Sequence, residues 1–112
     1  MSSELVDKDT LLMLKDLLGD RFNALLETYL SDSILRLQSL KKALQAQDYE
    51  VAKHEVHGLK GSSRNIGVNQ LADLCEELEK QTRTGNVVNG EKQFAAIEQN
   101  FAAVDETLRC YL

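Results

Sequence analysis

Residues 20–45 read DRFNALLETYLSDSILRLQSLKKALQ, and no other stretch constrains the architecture as strongly. Phe22, Leu26, Tyr29, Ser33, Leu37, Leu40 and Leu44 recur at three- and four-residue steps, while Lys41, Lys42 and Gln45 fall off that stripe. A period near 3.6 sustained over about six turns belongs to an amphipathic helix, because side chains of a strand would alternate every two residues. Asp20 is a candidate N-cap for this helix.

The flanking sequence repeats the pattern four times. Asp7 or Asp9 can cap a short first helix that carries Leu11, Leu14, Leu17 and Leu18 and stops at Gly19. Asp48 opens a third helix with Ala52, Val56, Leu59, Ser63 and Ile66 on one face, ending near Gly67. Leu71, Leu74, Cys75 and Leu78 mark a fourth that runs to the Gly85-Asn86 turn signal. After Asn89, a fifth carries Phe94, Ile97, Phe101, Val104, Leu108 and Tyr111. Short connections make sequential neighbours antiparallel. The fold class expected is therefore all-α: an antiparallel up-down four-helix bundle with an additional short N-terminal helix at one end or side.

With 112 residues, 43% hydrophobic and 28% charged, and with no linker or repeat, residues 1–112 read as a single domain. The chain has no proline and only 5% aromatic residues, which suits helices better than a sandwich or barrel. A net charge of -5 has the wrong sign for neutralising a phosphate backbone, so no nucleic acid is expected as partner. No run approaches the roughly 18 apolar residues that would span a bilayer, and the first ten residues lack a signal pattern, so a cytoplasmic monomer away from membranes is expected. Cys75 and Cys110 both fall in apolar periodic stretches and read as reduced core thiols.

One feature is not needed by a bundle. At about 100° per residue, His57 projects some 150° from the apolar centre of the third helix and faces water. Glu50, Lys53, His54, Lys60, Gly61 and Arg64 share that outward face, which reads as basic. Gly58 and Gly61 each cost about 1 kcal/mol relative to alanine inside a helix, so folding alone does not select them. Their missing side chains would clear a flat approach to His57 for an electrophile carried on another protein's surface. Lys60 and Arg64 could hold the charge delivered: unit charges about 6 Å apart attract by roughly 1 to 3 kcal/mol at an effective dielectric between about 80 and 20. A neutral imidazole offers a nucleophilic nitrogen, and its labile bond to phosphorus suits a carrier. Phosphoryl transfer is mostly positioning and charge stabilisation, so a carrier can supply little else.

His57-Gly58-Leu59-Lys60-Gly61-Ser62-Ser63, followed by Gly67, resembles the signature of histidine phosphotransfer (HPt) domains. The resemblance covers essentially the whole helical pattern. It implies that His57 accepts a phosphoryl group from an aspartate on a receiver domain of a hybrid sensor histidine kinase and passes it to a response-regulator aspartate, with no ATP-dependent kinase activity. Lys60 would then be the electrostatic support, Gly61 the access residue, and Ser62 and Ser63 the small positions that let the third helix pack closely. It also places Glu79 and Arg83 beside the site on the fourth helix, where many members have glutamine and a basic residue. Glu79 could accept a hydrogen bond from the imidazole, or it could form an ordinary surface ion pair with Arg83 at i,i+4.

No cofactor is expected for the chain itself, and Mg²⁺ would belong to the receiver partner, since there is neither an acidic metal cluster nor a glycine-rich phosphate loop. Two rival readings stand beside the carrier. One is a non-catalytic helical adaptor that binds and sequesters receiver domains. The other is a structural or metal-binding bundle using His54 and His57, with Glu50 or Glu79 completing the ligands, although two histidines supply only part of a zinc site. Leucines and Met13 cover more of the first helix than one stripe of about 100° requires. The excess is either extra core or a docking patch, with Met13 and Leu14 as its first candidates.

Overall fold

Each helix is cut out of the chain by local chemistry visible in the computed structural model, which describes residues 4–112; Met1, Ser2 and Ser3, at the head of the stretch read for a signal pattern, lie outside them. Helix α1 spans Lys8–Leu18, with the Asp7 carboxylate accepting from the Asp9 amide at 3.1 Å, so the cap is Asp7 and not Asp9. Helix α2 spans Phe22–Gln45, α3 Tyr49–Asn65, α4 Asn69–Thr84 and α5 Gly90–Arg109. Asp48 caps α3 through the Val51 amide, and Gly85 ends α4 in the left-handed conformation that glycine adopts without strain.

Asp20 does not cap α2. Gly19–Arg21 form a single 3-10 turn that feeds directly into the helix, with the Phe22 amide donating to the Gly19 carbonyl. Arg21 is already helical, and no side chain caps the junction. The chain arrives coiled, so the extended residue that a side-chain cap requires is missing.

The four long helices close in a ring in which α2 packs on α3, α3 on α4, α4 on α5, and α5 back on α2, with the most extensive contacts made by α3. This is the expected antiparallel bundle. Its core takes the stripe residues Leu26, Leu40, Val56, Leu59, Leu71, Leu78, Ile97, Val104 and Leu108, all fully or nearly fully shielded from water. Helix α1 touches α2 and the 3-10 turn. Its start is tied to the α3–α4 corner by the Asp7 amide, which donates to the Gly67 carbonyl at 2.9 Å. Gly67 has φ +84°, and a Cβ there would come within 3.0 Å of Asp7 and Thr10, so this corner needs glycine on two counts.

Two expectations about apolar positions are revised. Cys75 is buried, but Cys110 lies just past the end of α5, exposed, with its thiol turned to the Glu106 carbonyl; it is not a core residue. On α1, Leu11 is buried and Leu14 and Leu18 pack partly buried on the core, whereas Leu12, Met13 and Leu17 stand out in solvent. Leu14 thus serves the core, and the exposed apolar face consists of the other three.

Candidate functional site

Helix α3 positions the site because its opposite face is fixed. Ala52, Val56, Leu59 and Ser63 are completely buried, and the Ser63 hydroxyl meets the Tyr29 hydroxyl of α2 at 2.7 Å in the interior. Burial, partly offset by that hydrogen bond, pushes the Tyr29 phenol up to about 12, so it remains a neutral partner. Ser63 is thus a small residue at a fully buried position facing α2. Ser62 is half-buried and donates to the Leu59 carbonyl of its own helix at 3.2 Å.

With that face anchored, His57 stands 67% exposed on the outer side. Its Nδ1 lies 2.7 Å from Oε2 of Glu79, whose side chain is only 6% exposed on α4. The other oxygen, Oε1, faces Nζ of Lys60 at 2.5 Å, and Arg83 Nη2 lies 3.6 Å from Oε2. The i,i+4 ion pair with Arg83 is present, but it is the longest of the three contacts of a buried carboxylate whose nearer partners are Lys60 and His57. Burial alone would raise its carboxyl, but hydrogen bonds from Lys60 and His57, with the charges of both, outweigh burial and hold it below the usual range. An ionised carboxylate only accepts, so the hydrogen of a neutral His57 ring sits on Nδ1 and the lone pair is on Nε2, the nitrogen turned away from Glu79.

The face read as basic is charge-compensated. Lys53 pairs with Glu50 at 3.6 Å, Lys60 with Glu79, and Arg64 with Asp73 at 3.1 Å and Glu76 at 3.8 Å. Lys60 is also largely covered, at 19% exposure. A shallow depression beside the imidazole is lined by Glu50, Lys53, His54, His57, Glu79 and Arg83.

The two glycines differ. A Cβ at Gly61 would meet nothing within 4 Å, so the approach there is open. A Cβ at Gly58 would fall 2.4 Å from the Arg36 guanidinium, which lies across this position from α2 and is held by Asp32 and Glu55, each at 3.0 Å. Gly58 thus makes room for Arg36 and does not clear a path to His57. Sequence reading missed Arg36, since nothing in the chain's periodicity fixes the register of α2 against α3. It also missed the burial of Glu79, for which a signal exists: Glu79 follows Cys75 by four residues and Ala72 by seven, within the apolar stripe. Burial first, and then the nearby Glu79 charge, push the Cys75 thiol up to about 12, so Cys75 stays a neutral, buried thiol.

Four long antiparallel helices presenting the His57 imidazole on their outer face have the architecture of a helical phosphotransfer module, as the comparisons with known proteins show. The family model of the Hpt domain matches residues 24–107. The crystal structure of histidine-containing phosphotransfer protein B (HptB) from Pseudomonas aeruginosa PAO1 is similar, with a TM-score of 0.94 and 34% identity, covering 98% of this chain and 96% of that one. No curated protein matches the chain in sequence. The chain belongs to the Hpt domain family, and with it to the histidine phosphotransfer carriers of phosphorelays. Helix α1 lies outside the span matched by the family model. No helix among the described residues is long and apolar enough to cross a membrane.

Proposed function

We propose that the chain is a phosphorelay intermediate in which Nε2 of His57 accepts a phosphoryl group from a receiver aspartate of a hybrid sensor kinase and passes it to a response-regulator aspartate. The observation that carries this reading is the imidazole itself: 67% exposed, with its Nδ1 committed to a buried carboxylate. A ring held by one nitrogen presents the other in a fixed direction, which removes part of the entropic cost of meeting an electrophile. The open Cβ space at Gly61 leaves the approach clear. Lys60 supports the site by balancing Glu79, so that an arriving phosphate does not meet an uncompensated carboxylate. Arg83, at 60% exposure and with only a long contact to Glu79, is the cation freest to turn toward the phosphoryl oxygens. Arg64 supports the same face from two turns further along α3, through its pairs with α4.

The chain needs no metal of its own in this scheme; Mg²⁺ belongs to the receiver, whose acyl phosphate it neutralises. The partner surface extends over exposed apolar residues, with Met13, Leu12 and Leu17 of α1 supplying the hydrophobic part. The test mixes the protein with a radiolabelled phosphorylated receiver. Wild type takes up acid-labile, alkali-stable label, and His57→Gln takes up none. Equal labelling of both removes His57 as acceptor. Tight complex formation with no label on either supports the sequestering adaptor instead.

A further inference from the structure

Where a neutral amide at position 79 could only orient the ring, a buried carboxylate at 2.7 Å also supplies a charge. We infer that Glu79 is a positioning residue whose negative charge keeps the proton on Nδ1 of the phosphorylated His57 ring, so that phosphoryl transfer proceeds in both directions without proton exchange with water. This rests on the carrier reading above and deepens it.

The balance of the two steps shows why the charge matters. In acceptance, the Nε2 lone pair attacks phosphorus, the Nε2–P bond forms, and the P–O bond to the receiver aspartate breaks with its electron pair leaving on that carboxylate. The ring retains Nδ1–H and becomes cationic, opposite the Glu79 anion. In donation, a receiver carboxylate oxygen attacks phosphorus, and the Nε2–P bond breaks with its pair returning to Nε2. The leaving group is then a neutral imidazole that still bears Nδ1–H. If the proton is lost before donation, the ring must depart as imidazolate, a far poorer leaving group. Retaining that proton is therefore the condition for donation, and an adjacent carboxylate favours retention where an amide does not.

The charged and titratable groups facing this pair come from two helices. From α3, Lys60 occupies Oε1 and leaves Oε2 to the ring, while Glu50, Lys53 and His54 sit on the rim of the depression. From α4, Arg83 stands 3.6 Å from Oε2, and Cys75 remains a neutral thiol. On the other side of α3, Arg36 is compensated by Asp32 and Glu55. The cations oppose the effect, yet none stands between Oε2 and Nδ1.

The variant Glu79→Gln keeps an oxygen that can accept from Nδ1 and removes the charge; its NH2 group then faces Lys60, so that contact is lost with the charge and sets the overall rate, while the position of the alkaline limb reports on the ring proton. Donation of label from the phosphorylated protein to one receiver is followed from pH 6 to pH 10 for wild type and variant, each profile normalised to its own maximum. The alkaline descending limb should fall about one to three pH units lower in Glu79→Gln, the span over which a neighbouring opposite charge moves a titration. Ring ¹⁵N NMR of the phosphorylated wild type gives a second measurement that does not depend on the variant folding: Nδ1 should deprotonate at least about one unit above free Nε2-phosphohistidine in the same buffer. A limb that stays in place in Glu79→Gln, with only a uniform loss of rate, overturns the inference and leaves Glu79 as an orienting group. A ring titration matching free phosphohistidine overturns it as well. If wild type takes up no label at His57, the carrier reading itself fails, an outcome separate from either of these.

Discussion

Placing a side chain at Gly61 should strengthen the fold and weaken the function. A Cβ there meets no atom within 4 Å, so alanine or glutamine enters without displacing a neighbour. The position lies inside α3 with helical backbone, where glycine costs about 1 kcal/mol relative to alanine. Gly61→Ala should therefore stabilise by about 1 kcal/mol, or roughly 4 °C in Tm for a domain of this size. In a helix each Cα–Cβ bond leans toward the N-terminus, so a side chain at 61 lies back over residue 57, one turn earlier. A glutamine would sweep the space in front of His57 Nε2. Holding it aside costs up to about 2 kcal/mol of rotamer freedom, equivalent to a slowing of roughly ten- to thirtyfold. The assay pairs thermal unfolding by circular dichroism with single-turnover transfer from a labelled receiver. Gly61→Gln with unimpaired transfer would refute the access argument. A Gly61→Ala protein less stable than wild type would refute the reading of open space.

Three further outcomes follow from the same geometry. Gly58→Ala, despite the 2.4 Å clash, should change stability by less than about 1 kcal/mol, because the far end of the flexible Arg36 side chain yields and the helix gains an alanine; urea unfolding showing a loss above about 3 kcal/mol would mean that Arg36 cannot move. Tyr29→Phe strands the fully buried Ser63 hydroxyl and should cost about 1 to 3 kcal/mol, with Ser63→Ala recovering part of it in a double-mutant cycle; additive losses would deny the coupling. Since folding lowers the Glu79 carboxyl, its contribution is complete above its ordinary value of 4.5 and drains away as pH falls through the folded value. Wild type should therefore lose stability more steeply than Glu79→Gln between pH 5 and pH 3, and parallel losses in urea midpoints would contradict that assignment.

What the sequence disclosed and what it withheld divide along a physical line. Periodicity records which face of a helix is buried, so the five helices, the core stripe and the outward direction of His57 were all legible, as were stops such as Gly85. The Asp20 cap failed because one turn of 3-10 backbone can splice two helices without any extended residue. Cys110 was misjudged because it sits two residues after Leu108, about 200° around the axis from the seam and beyond the helix end. Quantities that depend on how helices face each other were out of reach. Arg36 over Gly58 and the pairing of Lys60 with Glu79 each join residues of different helices, and neither has a signature within its own element.

That same pairing changes how the site must be understood. A free cation beside His57 would bind a phosphoryl dianion strongly and hold it. Here Lys60 and Arg64 already face carboxylates, and Arg83, the freest of the three, still lies 3.6 Å from Glu79, so an arriving phosphate must share them all, and its net attraction is smaller than a bare lysine would provide. For a storage site this would be a defect. For a carrier it is an advantage, because tight binding of the phosphorylated state deepens the well from which the next transfer must climb, and only interactions that grow toward the transition state speed that step. The compensated face lowers retention, and the Glu79 carboxylate keeps the ring ready to leave. The two effects act on the same bond and in the same sense, favouring passage of the phosphoryl group over its keeping.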